Sequence, residues 1–149
     1  MLRNLRERME SEKGFTLIEL LVVILIIGIL AAIALPAFLG QQAKGQDAEA
    51  KSNARNVVSA VQSCYAETQD YAECDTDLEL ADNGAKSGVT IGALAGQVSI
   101  NSAAPVGGYT VTGLSHSGTS FSILTEADGT SSRTCTDGGT GGCKDGDVW

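Results

Sequence analysis

Residues 13–39 read KGFTLIELLVVILIIGILAAIALPAFL and form the most apolar segment of the chain. From Leu20 through Leu35 no side chain is polar, and the whole stretch carries one acid, Glu19. As an α-helix, residues 15–39 would be roughly 37 Å long. That length is enough to cross a hydrocarbon core of about 30 Å. The pattern therefore predicts a helix that can span a membrane.

Three interpretations of this segment compete. A core helix that is apolar on every side needs a large protein around it, and the rest of the chain is too short to supply one. A cleaved secretory signal could end at the small residues 32–34, but the apolar run is long for a signal and the leader carries acids among its Arg residues. A membrane helix that stays in the mature protein is the interpretation favoured by length and charge.

Glu19 adds an electrostatic argument, because a carboxylate at the centre of a bilayer costs roughly 2.5 to 3.5 kcal/mol and persists mainly where it has a partner. If the chain were cut after Gly14, the new α-amine of Phe15 would lie four residues from this acid. Opposite charges about 4 Å apart in a partly screened site attract by about 4 kcal/mol before desolvation is subtracted. Such a pair, within one chain or between neighbours, could set the register of packed helices.

The run from Gly14 to Glu19, GFTLIE, followed by LLVV and by Pro36, resembles the prepilin signature of type IV pilins and of type II secretion pseudopilins. The resemblance covers about residues 13–39. It implies cleavage between Gly14 and Phe15 by a prepilin peptidase, N-methylation of Phe15, and pairing of Glu19 with the Phe15 amine of an adjacent subunit. It also implies a cytoplasmic assembly ATPase and an inner-membrane platform protein as partners.

Gly28 and Pro36 are the helix-weakening residues inside the span. A mild kink is the simpler expectation, since membrane helices tolerate such residues. The resemblance implies a further role in assembly, in which the segment between them loses helical order when subunits pack into a filament.

The charge balance bounds the partners. The chain has 149 residues and a formal net charge of −8, and removing residues 1–14 would take away four bases and three acids and so give −9. A processed chain with this negative charge would repel nucleic acid, so we expect no nonspecific nucleic-acid binding by the subunit, except through an assembled pilus. The basic residues of the leader favour a cytoplasmic N-terminus, with residues 40–149 on the outer side.

Beyond the span the pattern becomes amphipathic. Apolar residues recur at the spacing of one helical face up to about Thr68, namely Ala54, Val57, Val58, Val61, Cys64 and Tyr65. The opposite face carries Lys44, Asp47, Lys51 and Arg55 and is expected to be solvated, with a weak pairing of Asp47 and Lys51 along the helix. Salt bridges between subunits are the alternative for this face.

Seven acids and no base lie between Cys64 and Asp82, which is typical of an exposed loop surface. Calcium binding is an alternative, although the spacing of a calcium loop is absent. Short β-rich runs follow at 98–100, 109–114 and 121–124, with a fourth strand expected near 131–135 and turns between them. His116 falls in one of these turns. The sequence predicts an α+β pilin fold, with a long helix laid on a small antiparallel sheet.

Four cysteines, Cys64, Cys74, Cys135 and Cys143, allow three pairings. An exported small domain favours oxidation. The two local pairs, Cys64–Cys74 and Cys135–Cys143, are the favoured arrangement, with free buried thiols as the alternative. Each local loop would contribute on the order of 2 to 3 kcal/mol.

The sequence gives little evidence for an enzymatic function, because it contains no catalytic nucleophile motif and no spacing typical of metal ligands. Lys86 and Ser87 follow Ala85 where a phosphate loop requires Gly, so residues 84–88 are predicted to be a plain loop. We expect no catalytic residues, no metal and no cofactor.

The sequence thus predicts a major-type structural subunit of a type IV pilus, held in the plasma membrane before assembly and extracellular afterwards. The predicted segments are a leader (1–14), a transmembrane assembly helix (15–39) and a globular domain (40–149) made of an amphipathic helix (40–68), an acidic loop (69–88), a sheet (89–135) and a Gly-rich loop (135–149). A type II secretion pseudopilin and a monomeric, signal-anchored binding domain remain alternatives. Adhesion, twitching motility, DNA uptake and protein secretion remain open as roles.

Overall fold

The computed structural model describes residues 15–103, 107–136 and 142–149, so the predicted leader lies outside the described residues. The helices are α1 (Leu17–Thr68), a 3-10 turn (Tyr71–Glu73) and α2 (Asp77–Asp82). The strands are β1 (Val98–Asn101), β2 (Tyr109–Leu114), β3 (Ser120–Thr125) and β4 (Ser131–Cys135). They form an antiparallel sheet in the order β1-β2-β3-β4. The predicted α+β pilin-like fold is confirmed.

The chain divides into two units, Met1–Leu39 and Gly40–Trp149. In the first unit, α1 runs without interruption through Gly28 and Pro36. In the second unit, α1 ends at Thr68, where Gln69 adopts a left-handed backbone with φ of 59° and its amide nitrogen donates to the carbonyl oxygen of Tyr65 at 2.8 Å. A left-handed residue after the last turn is a common way to stop a helix.

The core of the second unit lies between α1 and the sheet. From the helix it takes Ala54, Val57, Ala60, Val61 and Cys64, and from the strands Val98, Tyr109, Val111 and Ile123. Burial alternates along β2 and β3, because successive side chains point to opposite faces of a strand. The predicted helical face is therefore the packed face, although the sequence pattern had not included Ala60.

Gly113 allows this packing to be close. A Cβ atom added at Gly113 of β2 would lie 2.6 Å from the carbonyl oxygen of Ala50 and 3.4 Å from the Cβ of Ala54. Glycine inside a strand often marks a position where another backbone approaches. The small side chains of α1 and the bare backbone of β2 thus let helix and sheet touch.

Asp47 corrects one expectation. It was predicted to lie on the solvated face of the helix, but it is fully buried. Its Oδ1 accepts a hydrogen bond from the Ser117 hydroxyl, and its Oδ2 accepts one from the Gly142 amide at 2.8 Å. The Lys51 ammonium donates to the Gly142 carbonyl rather than forming a solvent-exposed pair with Asp47. Asp47 therefore joins the helix to the β2–β3 turn and to the C-terminal segment.

The acidic stretch is more ordered than the loop that the sequence predicted. It contains the 3-10 turn and α2. Thr76 caps α2, because its hydroxyl oxygen accepts from the Glu79 amide at 3.2 Å while Oε2 of Glu79 accepts from the Thr76 amide at 3.1 Å and the Thr76 hydroxyl at 2.8 Å. This reciprocal arrangement is a capping box.

Two disulfides close local loops in the second unit. Cys64–Cys74 joins the last turn of α1 to the 3-10 turn, with Cα atoms 5.9 Å apart. Cys135–Cys143 joins the end of β4 to the C-terminal segment, with Cα atoms 5.8 Å apart. Most of the Gly-rich stretch inside the second loop lies outside the described residues.

Candidate functional site: the N-terminal assembly segment

The N-terminus of α1 carries its own capping box. Oε2 of Glu19 accepts a hydrogen bond from the Thr16 amide at 3.2 Å and another from the Thr16 hydroxyl at 3.1 Å. The Glu19 amide donates to the Thr16 hydroxyl oxygen at 3.2 Å. Thr16 thus occupies the cap position and Glu19 the third position of the helix, where a negative charge also favours the helix dipole.

This cap gives Glu19 a partner within its own chain. Thr16 is an uncharged partner that the charge pattern does not indicate, although Thr-x-x-Glu before an apolar run is a recognisable capping signal in the sequence. All of the contacts to the carboxylate involve Oε2, and Oε1 accepts no hydrogen bond from any described residue. One carboxylate oxygen is therefore available to a donor from elsewhere.

The remaining predicted assembly residues lie along the same helix. Phe15 precedes α1 with 82% of its surface exposed, and Gly14 lies outside the described residues. A Cβ atom added at Gly28 would meet nothing within 4 Å. Pro36 lies within α1, one residue before Ala37 and well before its C-terminal end. The structure thus brings Glu19 together with Thr16, places Gly28 and Pro36 on one continuous helix, and leaves Phe15 just before the start of that helix.

The surface of this segment is apolar in every direction. The large side chains from Leu17 to Leu39 are mostly about half exposed or more. By length and composition, α1 is the one helix among the described residues that could cross a membrane, and none of its most apolar stretch is buried. A helix that is hydrophobic all round requires lipid or other helices around it.

Outside this segment, the described residues hold no group of three His, Cys, Asp or Glu side chains that could bind a metal. Ser87 donates its hydroxyl to the Val89 carbonyl at 3.1 Å, and Gly84 and Gly88 have positive φ. Residues 84–88 therefore form a turn-rich loop, as predicted. His116 is exposed in the turn between β2 and β3.

Three tyrosine rings lie in contact where the 3-10 turn meets the core, one pair stacked and the other tilted. The rings of Tyr65 and Tyr71 are 4.0 Å apart, and those of Tyr71 and Tyr109 are 4.8 Å apart. Burial raises the pKa of the Tyr71 hydroxyl, and the two neighbouring phenols act in the same direction. This cluster packs the acidic stretch onto the sheet through its rings.

These observations define a class: a single long apolar helix with a capped N-terminal acid, joined in sequence to a small disulfide-stapled α+β unit. A family model described as the prokaryotic N-terminal methylation motif matches residues 9–35. That match includes the predicted cleavage position and Glu19. The prediction of a type IV pilin signature is thereby confirmed.

The similar proteins are pilins. The chain is 40% identical over 93 residues to a type IV major pilin protein of Myxococcus xanthus, covering 62% of this chain and 42% of that protein. It is 43% identical over 76 residues to a fimbrial protein of Moraxella nonliquefaciens, covering 47% and 49%. It is 46% identical over 70 residues to a type IV major pilin protein of Neisseria gonorrhoeae, covering 47% and 42%.

The chain spans about half the length of the curated relatives it matches. No solved structure matches it. Over the aligned lengths the chain is similar to type IV major pilins, and its residues 9–35 match the N-terminal methylation motif.

Proposed function

We propose that the chain is a major-type structural subunit of a type IV pilus and has no enzymatic activity. The main support for the proposal is the exposed apolar surface of α1. This surface begins next to Glu19, an acid that caps the helix and lies within the matched methylation motif. A surface of this kind can be covered by lipid before assembly and by the same segment of other subunits afterwards. One helix thus serves as membrane anchor and as the polymerising element.

The proposed processing removes residues 1–14 and methylates the new N-terminus. A prepilin peptidase would cut between Gly14 and Phe15 and methylate the Phe15 amine. Residues 15–39 then hold the subunit in the plasma membrane, and residues 40–149 form its extracellular domain. By the resemblance to type IV pilins, an assembly ATPase and an inner-membrane platform protein would drive polymerisation.

Glu19 has two separable roles in this proposal. Through Oε2 it caps its own helix. Through Oε1 it accepts a hydrogen bond from the methylated amine of Phe15 of an adjacent subunit. The amine stays cationic when methylated, so the pair retains opposite charges. A charge-assisted contact of this kind is about twice as strong as a neutral hydrogen bond.

Two substitutions separate the roles. Glu19→Gln keeps a capping-box residue, since Gln also serves at this position, but removes the charge. Thr16→Ala removes the hydroxyl of the cap and keeps the charge. We expect Glu19→Gln to reduce extracellular fibres by roughly a hundredfold, the effect of about 2.7 kcal/mol per subunit contact, and Thr16→Ala to reduce them much less.

The measurement is the amount of pilin in fibres sheared from cells, relative to pilin in the membrane. Normal fibres from Glu19→Gln would contradict the docking role. N-terminal sequencing of the fibre protein tests the processing directly, and a chain that begins elsewhere than at a methylated Phe15 would overturn the proposal. Fibres on the cell surface also separate a pilin from a pseudopilin.

A further inference from the structure

The second unit carries a basic aromatic patch, defined by Lys51, Arg55, Arg133 and Trp149. The guanidinium of Arg55 lies 5.0 Å from the Trp149 ring centre, that of Arg133 lies 5.4 Å from it, and the Lys51 ammonium lies 5.6 Å from it. The Trp149 indole is held by a hydrogen bond to the Ser122 carbonyl at 3.3 Å and by an edge contact with Phe121. Helix α1 and strand β4 thus meet around one ring.

This concentration of positive charge is unusual for the chain. After residue 14 the sequence contains six bases, and three of them surround Trp149. Cations that share one aromatic ring repel one another, and the attraction of each cation to the ring offsets only part of this repulsion. Arg55 and Arg133 are exposed, and both guanidinium groups contact the Trp149 ring. Asp47, one helical turn before Lys51, is already engaged by Ser117 and Gly142.

The same unit has a complementary surface in its acidic segment, residues 67–82. Four of its acids accept hydrogen bonds within the same unit: Asp70 and Glu79 from nearby residues, Asp75 from Ser102 and Asp77 from the Ile91 amide. The other three, Glu67, Glu73 and Asp82, are exposed, and their carboxylates have no hydrogen-bond partner among the described residues. Arg55 and Glu67 lie on the same helix about 18 Å apart, given the rise per residue. They are too distant to pair within one subunit.

We propose that the basic aromatic patch of one subunit binds the acidic segment of a second copy of this chain. Because two different surfaces meet, the contact is head-to-tail, and such contacts generate open helical polymers when they do not close into a ring. The inference rests on the proposed function as a filament subunit. It adds a specific electrostatic contact between the second units to the helix packing of the first.

Charge reversal in the full chain tests this contact. Arg55→Glu with Arg133→Glu places like charges at the interface and should lower the fibre yield from cells by roughly tenfold or more. Glu67→Arg, Glu73→Arg and Asp82→Arg together should have a similar effect. Both sets combined in one chain restore opposite charges and should restore fibres. Lys86→Glu is the matched control, an exposed base outside the patch, and should leave the yield near that of the unmodified chain.

The outcomes are distinct from those that test the proposed function. If the unmodified chain forms fibres and the Arg55→Glu, Arg133→Glu variant does so equally well, the patch is not an interface and the pilin proposal stands. Failure of the combined variant to restore fibres also overturns the contact. If the unmodified chain forms no fibres, both proposals fail together.

If a charge-reversed variant fails to fold, as shown by low levels of protein or by missing disulfides, cross-linking tests the same contact. Arg55→Lys keeps the charge and supplies an amine for zero-length carbodiimide coupling to carboxylates. Fibres assembled from a mixture of isotopically light and heavy subunits should give cross-links from position 55 of one subunit to residues 67–82 of another. Fibres that give only links within one subunit would overturn the contact.

Discussion

The two parts of α1 use apolar residues in opposite ways. Before Gly40 the helix presents large aliphatic side chains in all directions, and almost none of them is buried. After Gly40 the buried positions are mainly small: Ala50 and Ala54 lie against Gly113 of the sheet, and Ala60 lies in the core. Hydrophobicity alone therefore does not identify a core. The second part packs tightly because its side chains are small enough for a strand to approach, and the first part is left for surroundings outside the chain.

The acids of the two parts differ in the same way. Glu19 lies at an exposed helix end with one carboxylate oxygen engaged by Thr16. Asp47 is buried with both oxygens engaged by other elements of its own unit. Glu19 is therefore poised for a contact from outside, whereas Asp47 stabilises the fold.

The largest effect on stability is expected at Asp47. Asp47→Ala removes the acceptor for the Ser117 hydroxyl and the Gly142 amide and leaves both donors without it. Each such loss costs about 1 to 3 kcal/mol, so the free energy of unfolding should fall by about 3 kcal/mol. Denaturant unfolding of the full chain in detergent measures this. Glu49→Ala, an exposed neighbour, should change stability by less than about 0.5 kcal/mol, and equal effects of the two would refute the structural role of Asp47.

Replacing glycine by alanine should change the free energy of unfolding by a smaller amount, lowering it at position 113 and raising it at position 45. Gly113→Ala forces a Cβ atom against the Ala50 carbonyl and should cost about 1 to 3 kcal/mol. Gly45→Ala lies inside α1 where an added Cβ meets nothing within 4 Å, and it should stabilise the helix by up to about 1 kcal/mol. The same unfolding measurement applies to both. A neutral Gly113→Ala would show that helix and sheet are not in close contact there.

The smallest effect is expected at the second capping box. The Thr76 hydroxyl holds the pKa of Glu79 below its ordinary range, so the ionised form is favoured in the folded protein. The associated stability is present above the ordinary pKa of glutamate and is lost as the pH falls through the lowered pKa. NMR titration of Glu79 should show this, and Thr76→Val should return the pKa towards its ordinary range. An unchanged pKa in Thr76→Val would contradict this account of the box.

Much of the fold could be predicted, because its signals are local. The apolar run and the amphipathic repeat predicted α1 to within two residues of its observed bounds, Leu17–Thr68. Gly-punctuated β-rich runs predicted the strands, including the fourth at Ser131–Cys135. The capping box of Thr16 and Glu19 also has a local signal, Thr-x-x-Glu, so the sequence contained it although charge alone does not indicate it.

Asp47 and Trp149 could not be predicted, since their environments are made by distant segments. Asp47 follows the helical spacing of a solvated face, yet it meets residues 117 and 142. Trp149 contacts Arg55 of the helix and Arg133 of β4, and no local sequence pattern connects these three residues. The order in the acidic stretch depends similarly on contacts such as that of Asp75 with Ser102.

The apolar helix, its methylation motif, the strands and the class of protein follow from the sequence alone, because periodicity, charge and motif spacing act over a few residues. The burial of Asp47, the need for glycine at position 113 and the meeting of three cations at one indole follow only from the folded arrangement. Those properties arise when the chain brings together groups tens of residues apart, and the desolvation and close packing that result have no signature in local sequence.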